Sequence, residues 1–113
     1  MKKKARFNAY KLMWMMVMFD LPVKTKKERK IASKFRENLL NQGFEMVQLS
    51  VYIQFTGTWE SSQKFVRAVK ENCPQKGNVS IIFFTDKQFS NIIHLVDNIE
   101  TKLKNEPLQF ELF

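Results

Sequence analysis

Asp20 is the residue of this sequence whose position most favours chemistry. It comes directly after seven successive apolar residues, Met13–Phe19, and directly before Leu21-Pro22. A run of this kind predicts a buried strand, so Asp20 is expected at the strand's carboxyl end, where the chain turns. A carboxylate at the tip of a rigid strand is well placed to hold a hard cation, because the backbone fixes its direction.

A single aspartate is a poor magnesium site, but two copies of Asp20 would be a better one. A two-fold dimer would bring two carboxylates together, and one or two carboxylates with waters are a usual Mg²⁺ environment. Without metal the pair would share a proton, so metal affinity is expected to rise with pH. The alternative is that Asp20 only begins the turn and has no chemical role.

The first third of the chain carries all of the excess positive charge. Residues 1–37 contain twelve Lys and Arg against three acids, whereas residues 38–113 contain seven against eight. A localised basic field of this kind suits a polyanion, and nucleic acid before acidic lipid, although a basic face kept for solubility is the alternative. The nucleic-acid-binding candidates lie on the flanks of one predicted helix: Lys26, Lys30 and Lys34 on one flank, and Arg29 and Arg36 on the other.

A row of lysines meets phosphates as point charges, without base specificity. The chain has no RNP-type aromatic segment for splayed bases, so it suits contact with the backbone of a duplex better than recognition of a single strand.

Five other residues are weaker candidates for a site. His94 is the only histidine and Cys73 the only cysteine, which excludes an internal disulfide and a zinc site of several Cys or His ligands. Ser50 and Tyr52 have no histidine nearby in sequence to activate them. Asp86 falls inside a helix-capping pattern and is expected at the opposite end of the sheet from Asp20, so we interpret it as structural.

Composition predicts one globular domain. The chain has 113 residues, of which 44% are apolar and 13% aromatic, with three Gly and three Pro. Its longest apolar run, Leu12–Phe19, is far shorter than the roughly 20 residues that a membrane span needs. We therefore expect a cytoplasmic protein with a basic arm at residues 1–11 and a single domain at residues 12–113.

Local signals place the first helix and the strands around it. Thr25 and Glu28 form a capping box at the start of the helix, and Gly43 is expected to end it in the left-handed conformation. The predicted inward face of the helix consists of Ile31, Ala32, Phe35 and Leu39. Strict alternation follows, with Val47, Leu49, Val51, Ile53 and Phe55 on one face and Gln48, Ser50, Tyr52 and Gln54 on a polar face. A kink near Gln48 could divide this stretch into two strands.

The second half repeats the pattern of helix and strand. Thr58 is expected to cap a helix that runs to about Asn72 with Trp59, Val66 and Val69 inward. The later elements are a strand at Val79–Phe84, a helical turn capped by Thr85, a possible strand at Ile92–Leu95 and a tail strand at Leu108–Phe113.

This order predicts an α+β fold, a ferredoxin-like βαββαβ sandwich with an additional C-terminal strand. The first strand and Ile81–Phe84 are apolar on both faces, but the helices cover only one face of the sheet. We therefore expect a homodimer in which the two open sheet faces stack, and the late strand could pair with the partner's edge. A monomer with an exposed apolar sheet is the alternative.

Several segments together resemble CRISPR-associated protein 2, most closely the variants from type II systems. They are an apolar strand ending in Phe19-Asp20-Leu21-Pro22, a basic helix with Phe35-Arg36, then Gly43-Phe44, Gln48-Leu49-Ser50-Val51-Tyr52 and Thr85-Asp86-Lys87-Gln88-Phe89.

The resemblance implies a homodimer in which Asp20 of each subunit binds a shared Mg²⁺ on the two-fold axis. It implies metal-dependent endonuclease activity on RNA or double-stranded DNA, with Asp20 as the catalytic candidate. It also implies an adaptor role in spacer acquisition, between two dimers of the CRISPR-associated protein 1 integrase. The tail strand would contact the neighbouring subunit. From the residues alone, a ferredoxin-like regulatory or nucleic-acid-binding module outside CRISPR systems is the alternative.

Overall fold

From residue 13 to residue 90 the strands and helices follow the predicted order. A computed structural model describes residues 11–103. The elements are β1 (Met13–Asp20), α1 (Lys26–Asn41), β2 (Glu45–Gln48), β3 (Val51–Gly57), α2 (Trp59–Glu71), β4 (Asn78–Thr85), α3 (Asp86–Ser90), β5 (His94–Val96) and β6 (Ile99–Thr101). The predicted tail strand at Leu108–Phe113 and nearly all of the basic arm at residues 1–11 lie outside the described residues.

Four of the strands form one antiparallel sheet in the order β2-β3-β1-β4. The predicted α+β class is confirmed, and the arrangement is consistent with a ferredoxin-like fold. β1 lies in the interior of the sheet, paired along its whole length with β4, so that Met13 lies opposite Thr85 and Asp20 opposite Asn78. The Asp20 end of β1 is therefore held in place by its neighbours.

The predicted helix start and stop signals around α1 are confirmed. The Thr25 hydroxyl oxygen accepts a hydrogen bond from the Glu28 amide, and the Glu28 carboxylate accepts one from the Thr25 amide. Gly43 follows the helix with φ of +99°, a conformation that costs glycine little. These contacts fix where the chain enters α1, six residues after Asp20, and where it leaves the helix.

The core lies between the sheet and helices α1 and α2. Its buried side chains are Met15, Val17, Phe35, Leu39, Phe44, Tyr52 and Val69. The prediction that Tyr52 belongs to a polar face is wrong: the residue is buried, and its ring packs on Phe19 with centroids 5.7 Å apart. The tyrosine ring supplies a large apolar surface, so one hydroxyl does not keep the side chain out of the core.

Two other predictions of inward side chains need correction. Ile31 lies at the edge of the α1 stripe and is 43% exposed, whereas Ala32, Phe35 and Leu39 are buried. Trp59 is 52% exposed, because it is the first residue of α2, and its ring contacts Phe83 with centroids 4.9 Å apart. Both residues therefore border the core and do not fill it.

The chain changes direction between β2 and β3, close to the kink predicted near Gln48. β2 ends at Gln48, and Ser50 in the turn has φ of +63°. A second, smaller sheet follows α3: β5 pairs with β6 as a hairpin whose two turn residues, Asp97 and Asn98, both have positive φ. The predicted strand at Ile92–Leu95 thus begins two residues later, and β6 was not predicted.

Candidate metal and nucleic-acid site

Asp20 lies at the carboxyl end of β1, exposed on the sheet face opposite α1 and α2. Successive strand residues point to opposite faces, and Val17 is buried in the core, so Asp20 shares the other face with Met18 and Met16. Among residues 11–103, no side chain or backbone group donates a hydrogen bond to the Asp20 carboxylate. Its oxygens are therefore available to an external ligand.

The backbone around Asp20 is anchored on both sides of β1. On one side Asp20 pairs with Asn78 at the start of β4. On the other side the Phe19 amide donates a hydrogen bond of 3.1 Å to the carbonyl oxygen of Ser50. Ser50 thus contributes its backbone at this place, and its hydroxyl has no histidine partner that would make it a nucleophile.

The donor chemistry of Asp20 fits a hard cation, but one chain supplies only part of a site. Carboxylate oxygens are ligands that Mg²⁺ prefers. Within the described part of the chain, however, no group of three or more His, Cys, Asp or Glu side chains is placed to hold a metal ion. A metal site at Asp20 therefore needs further ligands from water, from nucleic acid or from a second copy of the chain.

The sheet face that carries Asp20 is mostly apolar. Cross-strand pairing places Val51, Ile53 and Phe55 of β3 on it, beside Trp14, Met16 and Met18 of β1. The short helix α3 covers the far end, where Phe89 stacks on Trp14 with ring centroids 4.0 Å apart. At the Asp20 end, Met18 remains 40% exposed. We refer to this surface as the open face.

The five predicted nucleic-acid-binding residues differ in whether their charged groups already make hydrogen bonds within the chain. Lys26, Lys30 and Lys34 are exposed and follow one another at intervals of four residues on α1. The Arg29 guanidinium is partly used by the fold, because it donates hydrogen bonds of 3.1 Å to the carbonyl oxygens of Val23 and Lys24. Arg36 is half-buried and donates to the Ser33 hydroxyl. The three lysines, which we call the lysine row, are thus the most available cations of the set.

The structure does not bring the lysine row and Asp20 together within one chain. The lysine row lies on α1, which packs on one face of the sheet, whereas the Asp20 carboxylate lies on the other face. A nucleic acid bound along the row would therefore be separated from Asp20 of the same chain by the thickness of the sheet.

Asp86 lies at the opposite end of the sheet from Asp20, as predicted. It is buried, and its carboxylate accepts a hydrogen bond of 2.6 Å from the indole nitrogen of Trp14. Burial raises the pKa of the Asp86 carboxyl, and the hydrogen bond from Trp14 partly opposes the rise. With Thr85 and Gln88 forming a capping box around α3, these contacts attach the short helix to the open face.

Sequence reasoning missed two features near Asp20. Gly77, directly before β4, packs against the backbone of Asp20 and Leu21. A groove of about 390 Å³ lies between the β1–α1 and α2–β4 connections, with Lys27 and Lys76 among its lining residues. Neither feature has a local sequence signal, because each depends on contacts between segments far apart in the chain.

A comparison with models of protein families shows to which family the chain is related. Residues 13–92 match the family model described as CRISPR associated protein Cas2. The chain belongs to the Cas2 family. The alternative of a module outside CRISPR systems is therefore set aside.

Curated relatives support the Cas2 assignment over nearly the whole chain. A protein of Flavobacterium psychrophilum is 38% identical over 108 residues, covering 96% of this chain and 94% of the relative. One of Paracidovorax avenae is 45% identical over 106 residues, with 94% and 98% covered. One of Streptococcus mutans is 40% identical over 93 residues, with 82% and 85% covered. Each carries the name CRISPR-associated endoribonuclease Cas2.

The helices described between residues 11 and 103 include none that is long and apolar enough to cross a membrane.

Proposed function

We propose that this Cas2-family chain works in spacer acquisition as a homodimer that binds duplex DNA and bridges copies of the CRISPR-associated protein 1 integrase. The observation that carries the proposal is the separation of the lysine row from Asp20 by the sheet. A duplex held along α1 contacts three exposed lysines that make no hydrogen bond or ion pair within residues 11–103, and these lysines lie on the opposite face of the sheet from the Asp20 carboxylate of the same chain. Binding therefore does not require cleavage, which suits an adaptor.

The proposed dimer forms through the open face. Stacking on a second copy is favourable in free energy for the apolar sheet surface around Met18, Val51 and Phe55, because burial removes that surface from water. β4 is an edge strand of the sheet, and the β5–β6 hairpin carries exposed apolar side chains, with Leu95 57% and Ile99 69% exposed. The hairpin of one subunit could therefore add to the β4 edge of the partner.

A second function, metal-dependent cleavage of phosphodiester bonds, is favoured by the position of Asp20. In a dimer of stacked open faces, two Asp20 carboxylates would approach each other across the two-fold axis and hold one Mg²⁺. The metal would supply an activated water or stabilise the negative charge of the phosphorane-like transition state. The relatives' names specify an endoribonuclease, so RNA is the substrate that we propose for this activity.

Parallel assays of the wild type and Asp20→Asn test the two functions separately. We expect Asp20→Asn to abolish Mg²⁺-dependent RNA cleavage while duplex DNA affinity and integrase-dependent spacer insertion stay within about twofold of wild type. Glu60→Gln, which also removes one exposed carboxylate but lies in the first turn of α2, away from the open face and the hairpin, is the control and should leave all three activities unchanged.

Each function has its own contradicting result. Cleavage by purified Asp20→Asn protein equal to that of wild type would refute the catalytic role of Asp20. Wild-type protein that neither binds duplex DNA at low salt nor supports spacer insertion would refute the adaptor role. Sedimentation of the wild type as a single subunit at micromolar concentration would refute the dimer on which both functions depend.

A further inference from the structure

Gly77, the residue before β4, lies close to the backbone of Asp20 and Leu21. It has φ of +98° and directly precedes Asn78, the residue paired with Asp20. A Cβ atom at position 77 would lie 2.8 Å from the carbonyl oxygen of Asp20, 2.8 Å from Cδ2 of Leu21 and 3.1 Å from Cα of Leu21. The space for a side chain at this place is therefore already occupied by the strand end that carries Asp20.

We propose that Gly77 is a positioning residue, which fixes the end of β1 and thereby the place of the Asp20 carboxylate on the open face. The functional part of this proposal, an effect of residue 77 on metal binding, rests on the proposed metal-binding role of Asp20. Its structural part, the control of the strand end by residue 77, stands on the contacts alone.

The atoms that Gly77 meets are hard to move. Two of the three nearest are backbone atoms, and the end of β1 is also held from the other side by the hydrogen bond from the Phe19 amide to Ser50. A neighbour at 2.8 Å must move by about 0.6 Å to reach an ordinary contact of 3.4 Å. A side chain at position 77 therefore alters the pairing between Asn78 and Asp20.

A displacement of this size matters for a metal site. Mg²⁺ requires near-ideal octahedral geometry with ligands at about 2.0–2.1 Å. In a two-fold dimer the displacement occurs in both subunits, so the distance between the two carboxylates changes by up to twice the shift of one. Misplacement of a catalytic group by about 1 Å can cost on the order of a hundredfold in rate. By analogy, because the metal requires a defined ligand geometry, we expect a shift of about 0.6 Å to weaken Mn²⁺ binding by at least about tenfold.

Substitutions at Gly77 and at Gly43 separate this role from the general cost of replacing a glycine. Gly43 has an almost identical φ of +99°, but a Cβ atom there meets the end of the flexible Gln54 side chain. Asn tolerates positive φ better than Ala, so Gly77→Asn keeps the added Cβ atom with less backbone strain and is the second variant if Gly77→Ala fails to fold. Gly43→Asn and Gly43→Ala are the controls.

The test has two measurements. In the first, Mn²⁺ binding to full-length dimers is measured by electron paramagnetic resonance, together with melting temperatures. We expect Gly77→Asn to weaken Mn²⁺ binding at least about tenfold and Gly43→Asn less than twofold. The melting temperatures show that each variant is folded at the temperature of the binding measurement. Equal affinity of Gly77→Asn and wild type would overturn the proposal.

The second measurement is a crystal structure of Gly77→Asn, superposed on wild type through α1 and α2. A shift of the Asp20 backbone by about 0.6 Å supports the proposal, and an unchanged Asp20 with only the loop before β4 displaced overturns it. If wild-type protein binds no Mn²⁺, the proposed metal function fails, and this second measurement alone decides the role of Gly77.

Discussion

Replacement of the lysine row tests whether α1 is the surface that binds duplex DNA. Lys26, Lys30 and Lys34 are exposed, and at a rise of 1.5 Å per residue the row extends over about 12 Å. Phosphates of one DNA strand follow one another at about 3.4 Å along the helix axis, so the row is long enough for each lysine to meet a different phosphate. We expect the variant with all three lysines changed to Gln to lose these contacts.

The expected size of the effect follows from counterion release. Each phosphate neutralised on B-DNA contributes about −0.9 to the slope of log K against log salt, so three contacts contribute about −2.7. Between 50 and 200 mM salt, three contacts of this kind weaken binding by about fortyfold. For each lysine row that contacts the duplex, the triple variant should therefore have a slope of log K against log salt that is shallower by about 2.7. Its affinity for the duplex at low salt should also be lower.

Fluorescence anisotropy with a labelled duplex of fixed length, titrated at four salt concentrations, measures both quantities. The charge-matched control replaces Lys64, Lys70 and Lys76 with Gln, because these lysines are also exposed but lie neither on α1 nor on the proposed dimer contacts. The control should change the slope by much less than the row variant. The same slope for wild type and row variant would refute the row as the interface, and equal losses in both variants would show that only net charge matters.

Two further predictions concern stability. Because burial raises the pKa of Asp86 above 3.8, the stabilisation from this group is complete below pH 3.8 and is lost as pH rises through the raised pKa. Urea titrations at several pH values test this: the unfolding free energy of wild type minus that of Asp86→Asn should fall as pH rises through the raised pKa of Asp86. A difference that stays the same at every pH would contradict a raised pKa of Asp86. Thr25→Ala removes the hydroxyl that caps α1 and should lower the unfolding free energy by about 1 kcal/mol. Thr58→Ala, which removes the hydroxyl that accepts from the Ser61 amide at the start of α2, is the comparison variant. An unchanged melting temperature for Thr25→Ala would show that the Thr25–Glu28 capping box does not stabilise the protein.

The features predicted best from the sequence are those decided by neighbouring residues. The capping boxes begun by Thr25 and Thr85 and the left-handed Gly43 each depend on contacts within a few positions, so their residue types were sufficient. The turn of β5 and β6 belongs to the same class. An Asp97-Asn98 pair between Val96 and Ile99 favours a two-residue hairpin, so β6 also has a local signal in the sequence.

The assignment of faces was less successful, because it depends on which side of the sheet the helices cover. Tyr52 and Gln54 were predicted on a polar face, but that face is the one beneath α1 and α2. There the Gln54 amide donates a hydrogen bond of 3.0 Å to the Gln42 carbonyl oxygen at the end of α1. A specific hydrogen-bond partner thus allows the polar amide of Gln54 to lie on the sheet face that the helices cover. The apolar residues of β3, Val51, Ile53 and Phe55, lie on the open face.

The position of Asp20 at a strand end was predictable from the apolar run and the following Leu-Pro, and the structure places it there. The close packing of Gly77 against Asp20 was not predictable, because it arises only when β4 pairs with β1. A glycine before an apolar strand has many possible causes, and only the three-dimensional contact distinguishes among them.

The two tryptophans give the protein an optical probe on each side of its sheet. Trp14 is 4% exposed and is hydrogen-bonded to a carboxylate, whereas Trp59 is 52% exposed at a helix start. Their emission and their quenching by iodide should therefore differ, and single-tryptophan variants would separate the two signals. Because the indole of Trp14 lies beneath the ring of Phe89 on the proposed contact surface, its fluorescence would report directly on any event that lifts α3 from the sheet.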